Sequence, residues 1–278
     1  MKTSVGTEFN SLLGQTTPYC SQYNAELLFA MPRQEKREEL GIDSSCLPFS
    51  GLDIWTAFEV SWLNVRGKPS VMIAEFAFQA NSSFLIESKS FKLYLNSFNG
   101  SKFESQEEVE SLMRNDLTMA CGTSVDVILR SLNTPEELLF QLPGHNLDGL
   151  DIEVTEYKVN PFILEVDSKG EVVYETLNSH LLKSNCLVTG QPDWGSVVIR
   201  YEGLPIRHEA LLKYLISFRE HNEFHEQCVE RIFIDIMKYC KPKYLTVYAR
   251  YVRRGGLDIN PYRSNYEEEF DISRLARQ

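Results

Sequence analysis

Two apolar runs, DIWTAFEVSWLN (53–64) and VMIAEFAFQA (71–80), stand either side of the short polar stretch RGKPS (66–70). Both are rich in aromatic and β-branched residues, and the Gly-Pro stretch between them is turn chemistry. Together they read as a long antiparallel hairpin. A hairpin of this kind has an apolar face that something must cover, and helices with matching apolar stripes follow it. ESQEEVESLMRNDLTMAC (104–121) carries acids early and apolar residues at helical spacing, with Ser105 as a candidate N-cap. TSVDVILRSL (123–132) then reads as a strand. The second half repeats the order. WGSVVIRYEG (194–203) is a strand, RHEALLKYLISFRE (207–220) and EFHEQCVERIFIDIMKYC (223–240) are helices, and YLTVYARYVRRGG (244–256) closes on a strand. Asn222 is a plausible break and N-cap between those two helices. The pattern predicts an α+β fold of two similar halves, antiparallel sheets with helices on one face. The boundaries fall at 1–140 and 176–278, joined by a Gly- and Pro-punctuated acidic link over 141–175.

Composition narrows the function. Basic side chains number 28 against 39 acidic ones, a formal charge of −11. Proteins that coat nucleic acid or lie on membranes need clustered positive charge, so neither partner is expected. No apolar run approaches the ~18 residues of a membrane span, and MKTSVGTEFNSLLGQ lacks the apolar region of a signal peptide. Six cysteines at 20, 46, 121, 186, 228 and 240 show no repeated spacing. Reduced thiols in a cytoplasmic protein are therefore expected rather than a disulfide framework.

Four stretches could carry chemistry. In HLLKSNCLVTGQPDWGS (180–196), Cys186 stands among polar and turn-forming residues seven positions before Asp193. A carboxylate beside a thiol would raise its pKa from the usual value of about 8.5, so Asp193 suits proton transfer better than thiol activation. The spacing fits a buried structural cysteine beside a turn-forming Asp as well. In HNEFHEQC (221–228), a single helix would put His221, His225 and Cys228 on one face, a geometry open to zinc. A break at Asn222 would instead place His225 and Glu226 in a first helical turn, where a neutral His and an ionised Glu are favoured. In ESKSFKLY (87–94), read as a strand, Glu87 and Lys89 share one face while Ser88 and Lys92 share the other. In YVRRGGLDINP (251–261), two arginines and two glycines form a turn able to approach an anion. There is no GxGxxG, no P-loop, no CxxC pair and no HExxH.

Taken together, these stretches resemble the nitrile reductases of the queuosine pathway, the NADPH-dependent 7-cyano-7-deazaguanine reductases. ESKSFKLY matches that family's signature at every position, and the Cys186–Asp193 spacing, the His225–Glu226 pair and the RRGG turn match as well. The likeness runs from about LPFSGLDIW to PYRSN, in the long two-module form. It implies the tunnelling fold, two tandem ββαα-type modules, and a homodimer. It also implies a thioimide formed by Cys186, with Asp193 as proton donor and His225 assisting. Ile86, Glu87, Ser88, Phe224, His225 and Glu226 would bind the deazapurine, and Ser88, Lys89, Arg254 and Gly255 would bind NADPH. No metal is implied. A zinc hydrolase like GTP cyclohydrolase I, using His221, His225 and Cys228, and a non-catalytic purine-binding module are the alternatives. Because Glu87 and Cys186 lie in different halves, the site is expected between modules or between subunits.

Overall fold

The computed structural model describes residues 19–132, 140–267, 274–276 and 278. Along the first half run β1 (Ala30–Pro32), α1 (Gln34–Glu39), β2 (Ser50–Asn64), β3 (Pro69–Gln79), β4 (Phe84–Ile86), α2 (Ser88–Ser97), β5 (Lys102–Phe103), α3 (Gln106–Cys121) and β6 (Val125–Ser131). The second half holds β7 (His145–Asn146), β8 (Val173–Ser179), β9 (Lys183–Asn185), β10 (Pro192–Gly203), α4 (His208–Ile216), α5 (His225–Tyr239), β11 (Tyr244–Tyr251) and β12 (Leu257–Ser264).

The expected hairpin is β2–β3. Its turn is fixed by the Asn64 carboxamide, which accepts from the N–H of Arg66 and of Lys68, and by Gly67 at φ 84°. Ser105 caps α3 by accepting from the Glu108 N–H, and Gly122 ends that helix in the left-handed region at φ 73°.

Two expectations fail. ESKSFKLY is not a strand but most of α2. Glu87 caps that helix, accepting from the N–H groups of Lys89 and Ser90, while Phe91, Tyr94, Leu95 and Phe98 recur at helical spacing and are buried. The partial alternation of charged and apolar residues conceals that second period. LDINPYRS, whose first five residues close the predicted turn stretch YVRRGGLDINP, is β12, buried at every position. A strand covered on both faces shows no alternation, and Pro261 lies just past Tyr262, where the β11–β12 ladder stops.

Among the described residues the main sheet has ten strands, ordered β6-β3-β2-β12-β11-β10-β8-β7, with β5 added beside β2 and β9 beside β10. Apart from the short parallel β2–β5 and β7–β8 pairs, its ladders are antiparallel. The join between halves is the antiparallel β12–β2 ladder, which runs from Leu257↔Ala57 to Ser264↔Ser50. Register carries one buried face across the whole sheet, through Ile199, Val247, Trp55, Phe76 and Val127, each 2% exposed or less. The four long helices among the described residues pack on that face. α4 and α5 cover β10 and β11, while α2 and α3 cover β2, β3 and β6.

Between these two apolar clusters lies a buried ionic seam. Arg263 of β12 pairs with Asp53 of β2 at 2.8 Å and with Glu230 of α5 at 2.9 Å. Arg33 also meets Asp53, and Arg37 of α1 also meets Glu230, so three guanidiniums face two carboxylates with every member 4% exposed or less. No helix among the described residues is long and apolar enough to cross a membrane.

Candidate active site

Beside the seam a cleft of about 350 Å³, its open mouth included, is lined by Trp55, Leu85, Ile86 and Ser88 from the first half. Cys186, Asp193, Phe224, His225, Glu226, Arg254 and Ile259 line it from the second. One chain therefore brings both halves to the same cleft.

Local structure explains how Cys186 arrives there. β9 ends at Asn185, and the chain makes a tight turn in which the Cys186 N–H donates to Gln191 O at 2.8 Å and the Gly190 N–H to Cys186 O at 3.0 Å. Gly190 takes φ 66°, which costs glycine little. Asn185 ties this turn to the segment before α5. Its N–H donates to His221 O, its carbonyl accepts from the Glu223 N–H, and its carboxamide donates to Asn222 Oδ1. Asn222 thus belongs to a brace between loops, not to a helix cap as expected. The N-cap of α5 is Phe224, whose N–H donates to Gln227 Oε1 at 3.3 Å.

Burial pushes the Cys186 thiol up, but hydrogen bonds from the Thr189 hydroxyl, the Thr189 and Val188 N–H groups and the Arg254 guanidinium outweigh it. The thiol sits below its ordinary value. The other buried thiols go the opposite way: burial drives Cys121 and Cys240 up to about 12 and Cys228 well above its usual range.

Asp193, on β10 and 6% exposed, receives Arg254 Nη1 on Oδ1 at 2.5 Å. Its Oδ2 lies 3.3 Å from His225 Nε2. Carboxylate, guanidinium and imidazole therefore form a chain ending at the thiol. Glu226, 3% exposed, is held above its usual value by burial first and then by the Asp53 charge, against the opposing pull of His225 and Arg33.

The remaining expected residues stand around this group. Glu87 is fully buried with both carboxylate oxygens used in capping α2, and it does not line the cleft. Lys89 lies in the first turn of α2, behind Ser88. Gly255, at φ 61°, has its carbonyl held by Lys92 Nζ at 2.5 Å, which fastens the RRGG turn to α2. The one-helix reading of HNEFHEQC fails, since α5 begins at His225 and His221 Nε2 is engaged with Glu223 Oε2 at 2.9 Å. Among the described residues, no three His, Cys, Asp or Glu side chains are grouped to hold a metal. Sequence reasoning missed Trp55, Leu85 and Ile259. Trp55 and Ile259 are direct partners in the β2–β12 ladder, a pairing that only the unread strand β12 could have revealed.

Comparison with known proteins gives the family. Residues 19–129 match the family described as nitrile reductase, 7-cyano-7-deazaguanine-reductase N-term, and residues 192–270 match the QueF-like protein family. A protein of Hydrogenovibrio crunogenus is 66% identical over 278 residues, covering both chains fully. One of Cupriavidus metallidurans is 56% identical over 97% of this chain and 98% of its own. One of Chromobacterium violaceum is 54% identical over the whole of both. All three carry the name NADPH-dependent 7-cyano-7-deazaguanine reductase. With such identity along its whole length, this chain belongs to the 7-cyano-7-deazaguanine (nitrile) reductase family.

Proposed function

We propose that this chain reduces the nitrile of 7-cyano-7-deazaguanine to the aminomethyl group, with NADPH as reductant, in the biosynthesis of queuosine. The observation that carries the reading is the depressed Cys186 thiol in one cleft with Asp193, His225 and Glu226. A nitrile carbon is an electrophile suited to a thiolate. Cys186 Sγ forms the C–S bond and the nitrile nitrogen takes up a proton, giving a thioimide. Asp193 moves that proton and the later ones, with His225 beside it. When the C–S bond breaks, sulfur leaves with the electron pair and the thiolate is restored among its donors.

The substrate edge carries N–H donors, which a carboxylate accepts. Glu226 faces the cleft for this role, and Glu87 backs the same edge from behind Ser88, its carboxylate holding the first turn of α2 and the Ser88 side chain. Phe224, Ile86 and Ser88 complete the walls.

The residues present fit a dinucleotide. The Arg254 guanidinium is 42% exposed, and the positive-φ Gly255–Gly256 turn stands beside the first turn of α2 with Ser88 and Lys89. Because Glu87 already occupies the α2 N–H groups of Lys89 and Ser90, side chains rather than the helix end would hold the phosphates. Each NADPH, when bound, would supply one hydride, and two taken in succession with two protons balance nitrile to amine.

The architecture supports two ββαα modules of the tunnelling fold, 1–140 and 176–278, joined through 141–175. We further infer a cytoplasmic homodimer acting on a small molecule, and the net charge of −11 argues against contact with nucleic acid. The test is intact mass after mixing with 7-cyano-7-deazaguanine and no reductant. The reading expects a stoichiometric adduct that disappears in Cys186→Ala, followed by nitrile-dependent NADPH oxidation by the wild type. No adduct and no oxidation would overturn it.

A further inference from the structure

His225 has few polar restraints. It is the first residue of α5, its Nε2 lies 3.3 Å from Asp193 Oδ2, and its Nδ1 is buried without a hydrogen-bond partner among the described residues. One long contact does not fix the plane of a ring, because the imidazole can turn about it.

The plane is set by a different neighbour. The Tyr251 ring lies against the imidazole with centroids 3.9 Å apart and an interplanar angle of 8°. Tyr251 is fully buried at the end of β11. Its N–H donates to Asn260 Oδ1 at 3.1 Å, and its hydroxyl end sits against Ser184 and Cys228. Its backbone is thus tied to β12, and burial on every side confines the ring. Its direct ladder partner on β10 is Gly195. A Cβ added there would stand 3.2 Å from Tyr251 Cδ1 and Cε1, closer than an ordinary packing contact. The missing side chain of Gly195 therefore makes the room in which the ring lies.

We propose that Tyr251 is a positioning residue for His225. Its buried ring, lying over Gly195, fixes the imidazole plane so that Nε2 meets Asp193 while Nδ1 stays unclaimed by the protein. The role belongs to the ring face and not to the hydroxyl. This rests on the reductase reading above for its kinetic consequence, but not for its geometry.

The test is a mutant cycle on NADPH oxidation with 7-cyano-7-deazaguanine. Tyr251→Leu is expected to lower kcat by on the order of 10- to 100-fold, the loss typical of a misplaced proton-transfer group, with KM little changed. Tyr251→Phe keeps the ring and restores the rate. In a His225→Ala background Tyr251→Leu costs nothing further, since it acts through that ring. Gly195→Ala, which crowds Tyr251 without removing it, shows the same dependence on His225 and serves if Tyr251→Leu does not fold. A wild-type kcat in Tyr251→Leu or Gly195→Ala, or losses that simply multiply with His225→Ala, overturn the proposal. A turnover-independent readout is the NMR shift of the His225 ring protons, upfield in wild type and Tyr251→Phe, and displaced in Tyr251→Leu. Upfield shifts without reductase activity in the wild type would sink the reductase reading and leave the positioning intact. Ordinary shifts in the wild type would sink the positioning itself.

Discussion

Glu230 is the place to break the molecule. Its carboxylate takes Arg37 Nε and Nη2 at 3.1 and 2.7 Å, and Arg263 Nε and Nη2 at 3.2 and 2.9 Å. It is 2% exposed, so water cannot replace any of these bonds. Glu230→Gln keeps the volume but leaves two buried guanidiniums with no charge between them, and turns an amide NH₂ toward one of them. Removing one partner of a buried ion pair costs about 3–5 kcal/mol. Against a total stability of about 5–15 kcal/mol that is a large fraction, and for a chain of this size it lowers Tm by on the order of 10 °C.

Calorimetry and urea unfolding measure the loss, and pH gives it a signature. Both Glu230 and Asp53 are shifted downward in the fold, with burial opposing and Arg263 the largest lowering influence. Depressed carboxyls add stability that is fully present above their unfolded values of about 4 and lost as pH falls through the folded ones. Glu230→Gln should therefore flatten the acid limb as well as lower the plateau. Replacing the pair together, Glu230→Leu with Arg37→Met, should cost less than Glu230→Gln, since one of the stranded charges goes too. A Tm within about 3 °C of wild type, by the same scaling, would refute the reasoning, as would a double variant less stable than the single.

Three further outcomes follow from the cleft. Arg254→Ala removes one of the groups that lower the Cys186 thiol, so alkylation of Cys186 near neutral pH should slow and its titration move up; an unchanged profile would leave the Thr189 hydroxyl and the Thr189 and Val188 N–H groups as the cause. Asp193→Asn should slow reduction of the thioimide more than its formation, seen as an adduct that persists after NADPH is added; full-rate reduction would end the donor role. Glu226 is raised mainly by burial, yet the substrate's N–H edge needs it ionised, so affinity should rise with pH by up to tenfold per unit until the carboxyl has titrated. Calorimetry should show proton release on binding over that range, absent in Glu226→Gln; equal pH dependence in the two would exclude Glu226 as the acceptor.

Much of this site was legible in the sequence because its chemistry is local. Cys186 and Asp193 flank one hairpin turn, and Phe224, His225 and Glu226 are consecutive, so polarity amid apolar neighbours gave them away. What the sequence hid depends on pairing across the chain. β12 has no alternation because both its faces are buried, and without it neither the β12–β2 join nor the Trp55–Ile259 wall could be seen. α2 was misread for a related reason. Glu87 is a helix cap as well as a signature acid, and a capping Glu is a weaker start signal than Ser or Asp. Tyr251 looked like one more strand aromatic, since its role comes from a glycine on the neighbouring strand.

The seam and the cleft are one construction, joined by α5. Glu226 and Glu230 stand four residues apart on this helix and so lie on the same face, one turn from each other. Both are deeply buried carboxyls, and the same desolvation acts on each. Two arginines overcome it at Glu230, while at Glu226 the nearest strong influence after burial is another acid, Asp53. The fold therefore satisfies one carboxylate with its own cations and leaves the next, bonded to its own N–H, facing the cleft without an ion pair among the described residues. A ligand offering N–H donors can stabilise Glu226 where the protein does not. Because Glu230 fixes the helix against β12, while Arg263 and Arg33 hold Asp53 beside Glu226, the seam that stabilises the fold also sets how strongly that acid seeks a partner.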